Sequence, residues 1–191
     1  MRKIPSNLDN PIDNILISLS ENSMQTLKDL NMTPNILTSI SLLLAILSAI
    51  LFLHDYYKIS AIVFLISYIF DCYDGHFARK YNMVTQFGCY YDHISDSFKY
   101  LLFAIIIYYK SPTKFFVLLP IFLLLFTLSL MHAGCIELVT DQDIQSQSLS
   151  YFKSMCPTIK DPSISLNYTR YFGFGTFNIL FVIVIFTFGS F

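Results

Sequence analysis

The residues of this chain best suited to chemistry are four aspartates that fall within 26 positions, between two long apolar stretches. Asp71 and Asp74 are three residues apart, and Asp92 and Asp96 are four apart, so each pair shares one face of a helix. An aspartate at the centre of a membrane helix costs roughly 2.5–3.5 kcal/mol on insertion scales, so the cluster needs a compensating cation. Carboxylate oxygens suit Mg²⁺ or Mn²⁺, and a paired site holds two ions about 3.5–4 Å apart. The sequence therefore predicts a metal centre for phosphate chemistry.

The residues between the aspartates suit a pyrophosphate group. Gly75, Ala78 and Gly88 have little or no side chain and leave room for a ligand to approach the helices. Arg79 offers a planar fork of donors that matches phosphate oxygens. A turn at residues 81–85 separates the two predicted helices, which makes them antiparallel neighbours and lets the four carboxylates converge.

The composition indicates a membrane protein rather than a soluble enzyme. The 191 residues are 54% hydrophobic and only 13% charged, whereas soluble domains carry about 25% charged residues. A net charge of −1 with no basic tail gives no indication of nucleic-acid binding. The four cysteines form no C-x-x-C pair, and we interpret them as reduced packing residues.

The apolar pattern predicts an all-α, polytopic transmembrane bundle that forms one domain over residues 1–191. Residues 1–33 form a juxtamembrane segment whose apolar face (Ile12, Ile15, Leu16 and Leu19) fits either an amphipathic helix in the membrane interface or an ordinary connector. Thr33 and Pro34 are typical of a helix start. The bundle, residues 34–191, has five predicted spans, at about 36–53, 59–80, 87–109, 113–134 and 172–190, and the stretch 137–169 is too polar to cross.

The distribution of lysine and arginine predicts the orientation. With the N-terminus in the cytosol, eight of these residues face the cytosol and three face the other side. This arrangement puts the aspartate cluster at the cytosolic face of an integral membrane protein, and in the endoplasmic reticulum if the host cell is eukaryotic.

The stretch from Asp71 to Asp96 resembles the signature of the CDP-alcohol phosphotransferase family, D-x-x-D-G-x-x-A-R-x8-G-x-x-x-D-x-x-x-D. All eight defining positions match, namely Asp71, Asp74, Gly75, Ala78, Arg79, Gly88, Asp92 and Asp96. Thr33-Pro34-Asn35 also resembles the family's usual entry into the first span. Members usually have six spans and often dimerise, so the resemblance implies a sixth helix, which the pattern does not predict here, and a homodimer.

The resemblance also implies roles for these residues. Asp71, Asp74 and Asp92 would hold two Mg²⁺ or Mn²⁺ ions, and Asp96 would contact one ion and act as general base on the acceptor hydroxyl. Around the donor, the cytidine and pyrophosphate pocket would be formed by Gly75, Ala78 and Arg79, with Gly88 allowing close approach. The implied reaction is metal-dependent phospholipid synthesis from CDP-diacylglycerol and a small alcohol, with release of CMP.

The acceptor alcohol is less well defined than the donor. Several residues beside the motif resemble phosphatidylinositol synthases and favour inositol: His76, Asn82, Thr85, Phe87 and the run Tyr168-Thr169-Arg170. Some of them also fit phosphatidylglycerophosphate and phosphatidylserine synthases. The alternatives are a choline- or ethanolamine-type phosphotransferase acting on diacylglycerol, a membrane cation carrier, and an inactive relative that senses CDP-lipid.

Five other polar residues have two interpretations each. Lys99 either contacts a carboxylate or acceptor phosphate or, as we favour, extends towards the interface. His76 and His93 either support the aspartates or lie at the interface. His132 and Glu137 either contact the acceptor pocket or, as we favour, mark a helix end that meets water.

Overall fold

The computed structural model describes residues 3–140, 149–157 and 161–190. These residues form helices and no strand, which confirms the all-α class. Two short 3₁₀ helices (Leu149–Met155 and Arg170–Phe172) accompany seven α-helices: α1 Pro11–Asp29, α2 Pro34–Leu53, α3 Tyr57–Lys80, α4 Gln86–Lys110, α5 Pro112–Val139, α6 Pro162–Thr169 and α7 Phe174–Thr187.

Side-chain caps determine where the helices that carry the aspartates and their neighbours begin. Asn10 accepts hydrogen bonds from the first backbone N–H groups of α1, and Thr33 accepts from Ile36 N at the start of α2, as the sequence predicts. Thr85 caps α4 by accepting from Gly88 N, which fixes the register of the helix that carries Asp92 and Asp96.

Four stretches are long and apolar enough to cross a membrane: α2, α3, α5 and the run Pro162–Thr187. The predicted third span is a continuous helix of 25 residues, α4, but it is not among these four. It carries four charged residues (Asp92, Asp96, Lys99 and Lys110), which lower its apolar character. The bundle is polytopic, and the prediction of five spans is not confirmed.

Paired serines hold α2 against α3. Ser48 and Ser60 each donate to the other's backbone carbonyl, at 2.7 and 2.8 Å, and Ser41 and Ser67 repeat the arrangement at 2.9 and 2.7 Å. Small hydroxyl side chains allow two membrane helices to approach closely while satisfying their polar groups. This contact fixes the aspartate-bearing end of α3 beside α2.

The opposite end of the bundle is an aromatic core, which we call the aromatic end (Phe52, Phe64, Phe103, Phe181 and Phe188). Phe64, Phe103 and Phe181 contact one another edge to face, with ring centroids 5.0–5.3 Å apart. The side chain of Phe103 is fully buried among them. Helices α2, α3, α4 and α7 therefore meet in apolar packing at this end of the bundle.

The segment after α5 folds back onto that helix and is joined to it by a disulfide between Cys135 and Cys156. The prediction that all the cysteines are reduced is wrong for this pair, although Cys72 and Cys89 form no disulfide. A Cβ on Gly134 would overlap the carbonyl oxygen of Phe152, so the close approach requires glycine. The pairing depends on this tertiary contact, and the spacing of 21 residues gives no local signal for it.

Helix α1 lies against α3 and α7 and confirms the predicted N-terminal helix. Met24 packs into a small core with Leu37 and Phe77, whereas Ile15 and Leu19 of the apolar face are exposed. Partly exposed apolar side chains on such a helix fit the predicted interfacial position.

Candidate active site

The four aspartates lie where α3 ends and α4 begins. Between the two helices, Asn82 adopts a left-handed backbone conformation with φ of 54°, which turns the chain sharply enough for α4 to return beside α2. Asparagine tolerates this region better than most residues. The predicted turn at residues 81–85 is thus present. However, α4 packs against α2 and not directly against α3, so the prediction that these two helices are neighbours is wrong.

Three of the four carboxylates converge. Oxygen atoms of Asp71, Asp74 and Asp92 all lie within 4.8 Å of one another, close enough to bind a single cation. Three carboxylate oxygens are the donor set that hard divalent ions prefer, and without a cation three negative charges at this distance would repel one another. The residues present therefore fit a divalent metal ion.

The fourth carboxylate, Asp96, is not part of that group and binds a lysine instead. Its Oδ1 accepts a hydrogen bond from Lys99 Nζ at 2.8 Å, and the same Nζ donates to Asp71 Oδ1 at 2.5 Å. The side chain of Lys99 is only 4% exposed. The favoured prediction that Lys99 extends towards the interface is wrong, because two carboxylates hold its ammonium inside the bundle.

Hydroxyl groups of α2 support the aspartates and were not among the predicted site residues. Thr38 donates to Asp74 Oδ2, and Ser41 lies 3.3 Å from Asp71 Oδ1. A signal for them exists in the sequence, because Thr38 and Ser41 are polar positions three apart in a mostly apolar helix. That spacing places both on one face, the one turned towards α3.

Two cavities meet at the aspartates. The smaller, about 360 Å³, is bordered by the start of α2, the end of α3 and the start of α4, and the larger, about 820 Å³, is mostly apolar and extends between α4, α5 and α7. Both are lined by Lys3, Asp74, Gly75, Arg79, Asp92 and His93. The carboxylates thus lie at the junction of a polar and an apolar compartment.

The other four predicted site residues all line the smaller cavity: Gly75, Ala78, Arg79 and Gly88. A Cβ on Gly88 would lie 3.1 Å from Asn35 Oδ1, so glycine keeps this side of the cavity open. Asn35 also lines the cavity, although the sequence pointed to it only as part of a helix start. The Nε of Arg79 is buried and has no hydrogen-bond partner among the described residues, as expected for a donor that awaits an anion.

The end of α5 differs from the prediction. Glu137 is fully buried and forms an ion pair with Lys3, and His132 is buried with its Nδ1 3.1 Å from Thr169 Oγ1. The prediction that they meet water is wrong, because the N-terminal segment and α6 cover this end of the helix. Neither residue lines the two cavities. Burial lowers the pKa of Lys3, although the charge of Glu137 opposes that shift.

The two histidines beside the motif have different surroundings. His76 is buried and lies 2.7 Å from Glu21 Oε1 on α1, away from the aspartates. Hydrogen bonds from Lys80 and His76 lower the pKa of Glu21. His93 Nδ1 lies 3.6 Å from Asp92 Oδ2, beyond hydrogen-bond distance, and the side chain lines both cavities.

The chain is an all-helical integral membrane bundle whose carboxylates lie between a polar and an apolar cavity. Such an arrangement suits ligands with a charged head and an apolar tail. The family model for CDP-alcohol phosphatidyltransferases matches residues 31–188, and the chain belongs to this family.

The curated relatives share a printed name, CDP-diacylglycerol–glycerol-3-phosphate 3-phosphatidyltransferase. The protein of Rickettsia felis is 46% identical over 50 residues, which is 26% of this chain and 26% of the relative. That of Rickettsia typhi is 49% identical over 39 residues, 20% of this chain and 22% of the relative. That of Cereibacter sphaeroides is 31% identical over 99 residues, 49% of this chain and 44% of the relative. The chain thus spans less than half the length of these relatives, and no solved structure matches it.

Proposed function

We propose that this chain transfers the phosphatidyl group of CDP-diacylglycerol to a small alcohol and releases CMP. The observation that carries the proposal is the convergence of Asp71, Asp74 and Asp92 at the junction of the two cavities. A CDP-lipid has a polar nucleotide and apolar acyl chains joined by a pyrophosphate, and each part matches one region of this site.

The nucleotide fits the smaller cavity. Gly75, Ala78 and Gly88 leave its wall free of side chains, and Arg79 lies where both cavities meet, next to the expected position of the pyrophosphate. The guanidinium would donate to phosphate oxygens with the buried Nε that has no partner among the described residues. The acyl chains would extend into the apolar larger cavity.

Asp71, Asp74 and Asp92 would hold the metal, for which we propose Mg²⁺ or Mn²⁺. When bound, a divalent ion would neutralise the pyrophosphate and make its phosphorus more electrophilic. Thr38 orients Asp74 by donating a hydrogen bond to its Oδ2. Hydrogen bonds to metal-binding carboxylates from residues that do not touch the metal commonly have this effect. The family resemblance implies two ions held by Asp71, Asp74 and Asp92, with Asp96 in contact with one of them, but Asp96 lies outside the convergent group.

Asp96 would act as the general base. Its carboxylate accepts the proton of the acceptor hydroxyl while that oxygen forms the new bond to the phosphatidyl phosphorus, and the bond to the CMP oxygen breaks. Arg79 stabilises the charge that develops on the departing CMP. Lys99 holds the Asp96 carboxylate in place with a hydrogen bond of 2.8 Å.

We propose glycerol 3-phosphate as the acceptor in place of inositol. The support comes from the relatives in Rickettsia felis and Cereibacter sphaeroides, whose printed names specify this acceptor. The inositol prediction rests on residues beside the motif that also fit phosphatidylglycerophosphate synthases. It stays a prediction that the assay below tests directly.

We also propose that the site faces the cytosol, on the basis of the lysine and arginine distribution. The disulfide between Cys135 and Cys156 argues against this orientation, because disulfides persist mainly in oxidising compartments. Labelling resolves the conflict. With Cys72 and Cys89 changed to serine and the exposed Tyr151 changed to cysteine, a membrane-impermeant maleimide should label inside-out vesicles and leave intact cells unlabelled.

The reaction is tested with purified protein in detergent, CDP-diacylglycerol and Mg²⁺ or Mn²⁺. CMP release is measured with glycerol 3-phosphate, inositol or serine, and with CDP-choline plus diacylglycerol. Metal-dependent CMP release with glycerol 3-phosphate supports the proposal. Release with inositol alone would identify inositol as the acceptor and would still support the phosphatidyl transfer. Release only from CDP-choline plus diacylglycerol supports a choline-type enzyme, and no release with any pair favours a cation carrier or a CDP-lipid sensor.

A further inference from the structure

Lys99 occupies a position between two aspartates that a second metal ion would otherwise share. Its Nζ lies 2.5 Å from Asp71 Oδ1, 2.8 Å from Asp96 Oδ1 and 2.9 Å from Ser41 Oγ. An ammonium has three N–H donors, and these three oxygens can accept all of them. Because the side chain is 4% exposed, no donor remains for water or a lipid headgroup.

The placement of Lys99 conflicts with a pair of divalent ions. For Asp96 to bind an ion together with Asp71, the ammonium would have to leave both carboxylates, because Asp71 Oδ1 and Asp96 Oδ1 both accept its hydrogen bonds. A lysine that leaves would remain buried without a partner, which is costly.

We propose that the ammonium of Lys99 takes the place of a second divalent ion, so that the donor-free chain binds one such ion through Asp71, Asp74 and Asp92. Asp96 is then a base positioned by Lys99 instead of a metal ligand. This inference rests on the metal site of the proposed function and refines it from two ions to one. Lys99 is a positioning residue, since it acts through the carboxylates it binds.

The test counts the Mn²⁺ ions bound by each chain. The full chain is stripped of metal in detergent and titrated with Mn²⁺ alone, and free Mn²⁺ is read by electron paramagnetic resonance. We expect one ion for the wild type and two for Lys99→Met, which keeps the length of the stem and removes the charge. The two ions in that variant should lie about 3.5–4 Å apart and give the spectrum of a spin-coupled pair.

Two control variants separate the cation from the packing of the side chain. Lys99→Arg keeps a positive charge between Asp71 and Asp96 and should bind one ion. Lys110→Met removes a lysine from the other end of α4, where it pairs with Asp55, and should also bind one ion. Two ions bound by either control would contradict a specific role for the charge of Lys99.

Asp96→Asn tests the proposal without changing Lys99, in case Lys99→Met does not fold. We expect this variant to keep its one ion and to lose less affinity than the 10–100-fold that removal of a supporting contact typically costs, whereas Asp74→Asn should lose the ion. Three outcomes would overturn the inference and leave the proposed function standing. They are loss of the ion in Asp96→Asn, two ions bound by the wild type, and one ion bound by both the wild type and Lys99→Met. A wild type that binds no Mn²⁺ would overturn the metal site of the proposed function as well.

Discussion

The aspartate end and the aromatic end of the bundle are held together by different forces. At the aspartate end, ion pairs and hydroxyl hydrogen bonds connect α2, α3 and α4, as in the contacts of Lys99 and Thr38. At the aromatic end, the same helices and α7 meet through rings such as Phe64, Phe103 and Phe181. The aromatic end therefore contributes apolar packing to the fold, whereas the aspartate end contributes the charged lining of the two cavities.

This comparison predicts that substitutions at the two ends affect different measurements. At the aspartate end, a change should reduce metal binding and turnover while the fold persists. At the aromatic end, a change should lower the free energy of unfolding without altering the site. If site residues and core residues were interspersed along the bundle, a single substitution would change both metal binding and the free energy of unfolding.

The largest effect is expected from Asp74→Asn. The variant loses a ligand charge in the convergent group, and metal assistance supplies several kcal/mol of transition-state stabilisation, about a thousandfold in rate. We expect CMP release to fall by about that factor and the thermal unfolding midpoint in metal-free detergent to change little. Asp55→Asn, an exposed aspartate at the other side of the bundle, is the matched control and should retain turnover.

The next effect is expected at the aromatic end, from Phe103→Ala. Removal of a fully buried ring leaves a cavity among Phe64, Phe181 and Phe52, at a cost of about 3 kcal/mol. We expect a lower unfolding midpoint by circular dichroism, with Mn²⁺ affinity kept below that temperature. Phe116→Ala removes an exposed ring from α5 and should leave the midpoint unchanged. Lost Mn²⁺ binding in folded Phe103→Ala would show that the two ends are coupled.

A smaller effect on the site is expected from Thr38→Val, which keeps the shape of the side chain and removes its hydrogen bond to Asp74. Loss of a supporting contact of this kind typically lowers metal affinity 10–100-fold. Ser48→Ala removes a hydroxyl from the same helix and the same α2–α3 contact, but far from the aspartates. Equal losses of Mn²⁺ affinity in both variants would mean that helix packing, and not the orientation of Asp74, determines the binding.

The sequence predicts the aspartate end better than its surroundings for a physical reason. Residues three or four apart on a helix share a face whatever the rest of the chain does, and a short turn keeps the end of one helix close to the start of the next. These local rules are enough to bring Asp71, Asp74 and Asp92 together and to place Gly75 and Gly88 along a cavity.

Contacts between distant segments follow no such local rule. Lys3 pairs with Glu137, and Cys135 pairs with Cys156, only because the N-terminal segment and the chain after α5 both fold against the end of α5. The partners of Lys99 depend on how α4 packs beside the α2–α3 pair. The third predicted span, α4, is not among the four candidate spans because its site residues lower its apolar character.

The smallest effect is expected at Asp13, which lies on α1 beside the larger cavity and connects the N-terminal segment to the bundle. Tyr68 donates to its Oδ1, and the backbone N–H of Gly175 donates to its Oδ2 at 3.2 Å. Burial raises the pKa of Asp13 to about 7, although the hydrogen bond from Tyr68 opposes the shift. Between about pH 4 and pH 7 the folded chain therefore holds a proton that the unfolded chain has released.

The free energy of unfolding should consequently fall as the pH rises through that window, by about 1 kcal/mol between pH 5 and pH 6, since one pKa unit corresponds to about 1.4 kcal/mol. Asp13→Asn cannot titrate and should remove most of this slope, measured by denaturant unfolding in detergent at each pH. Asp29→Asn, at the exposed end of the same helix, should keep the slope. If Asp13→Asn also kept the slope, the pH dependence would belong to another group and the assignment to Asp13 would be wrong.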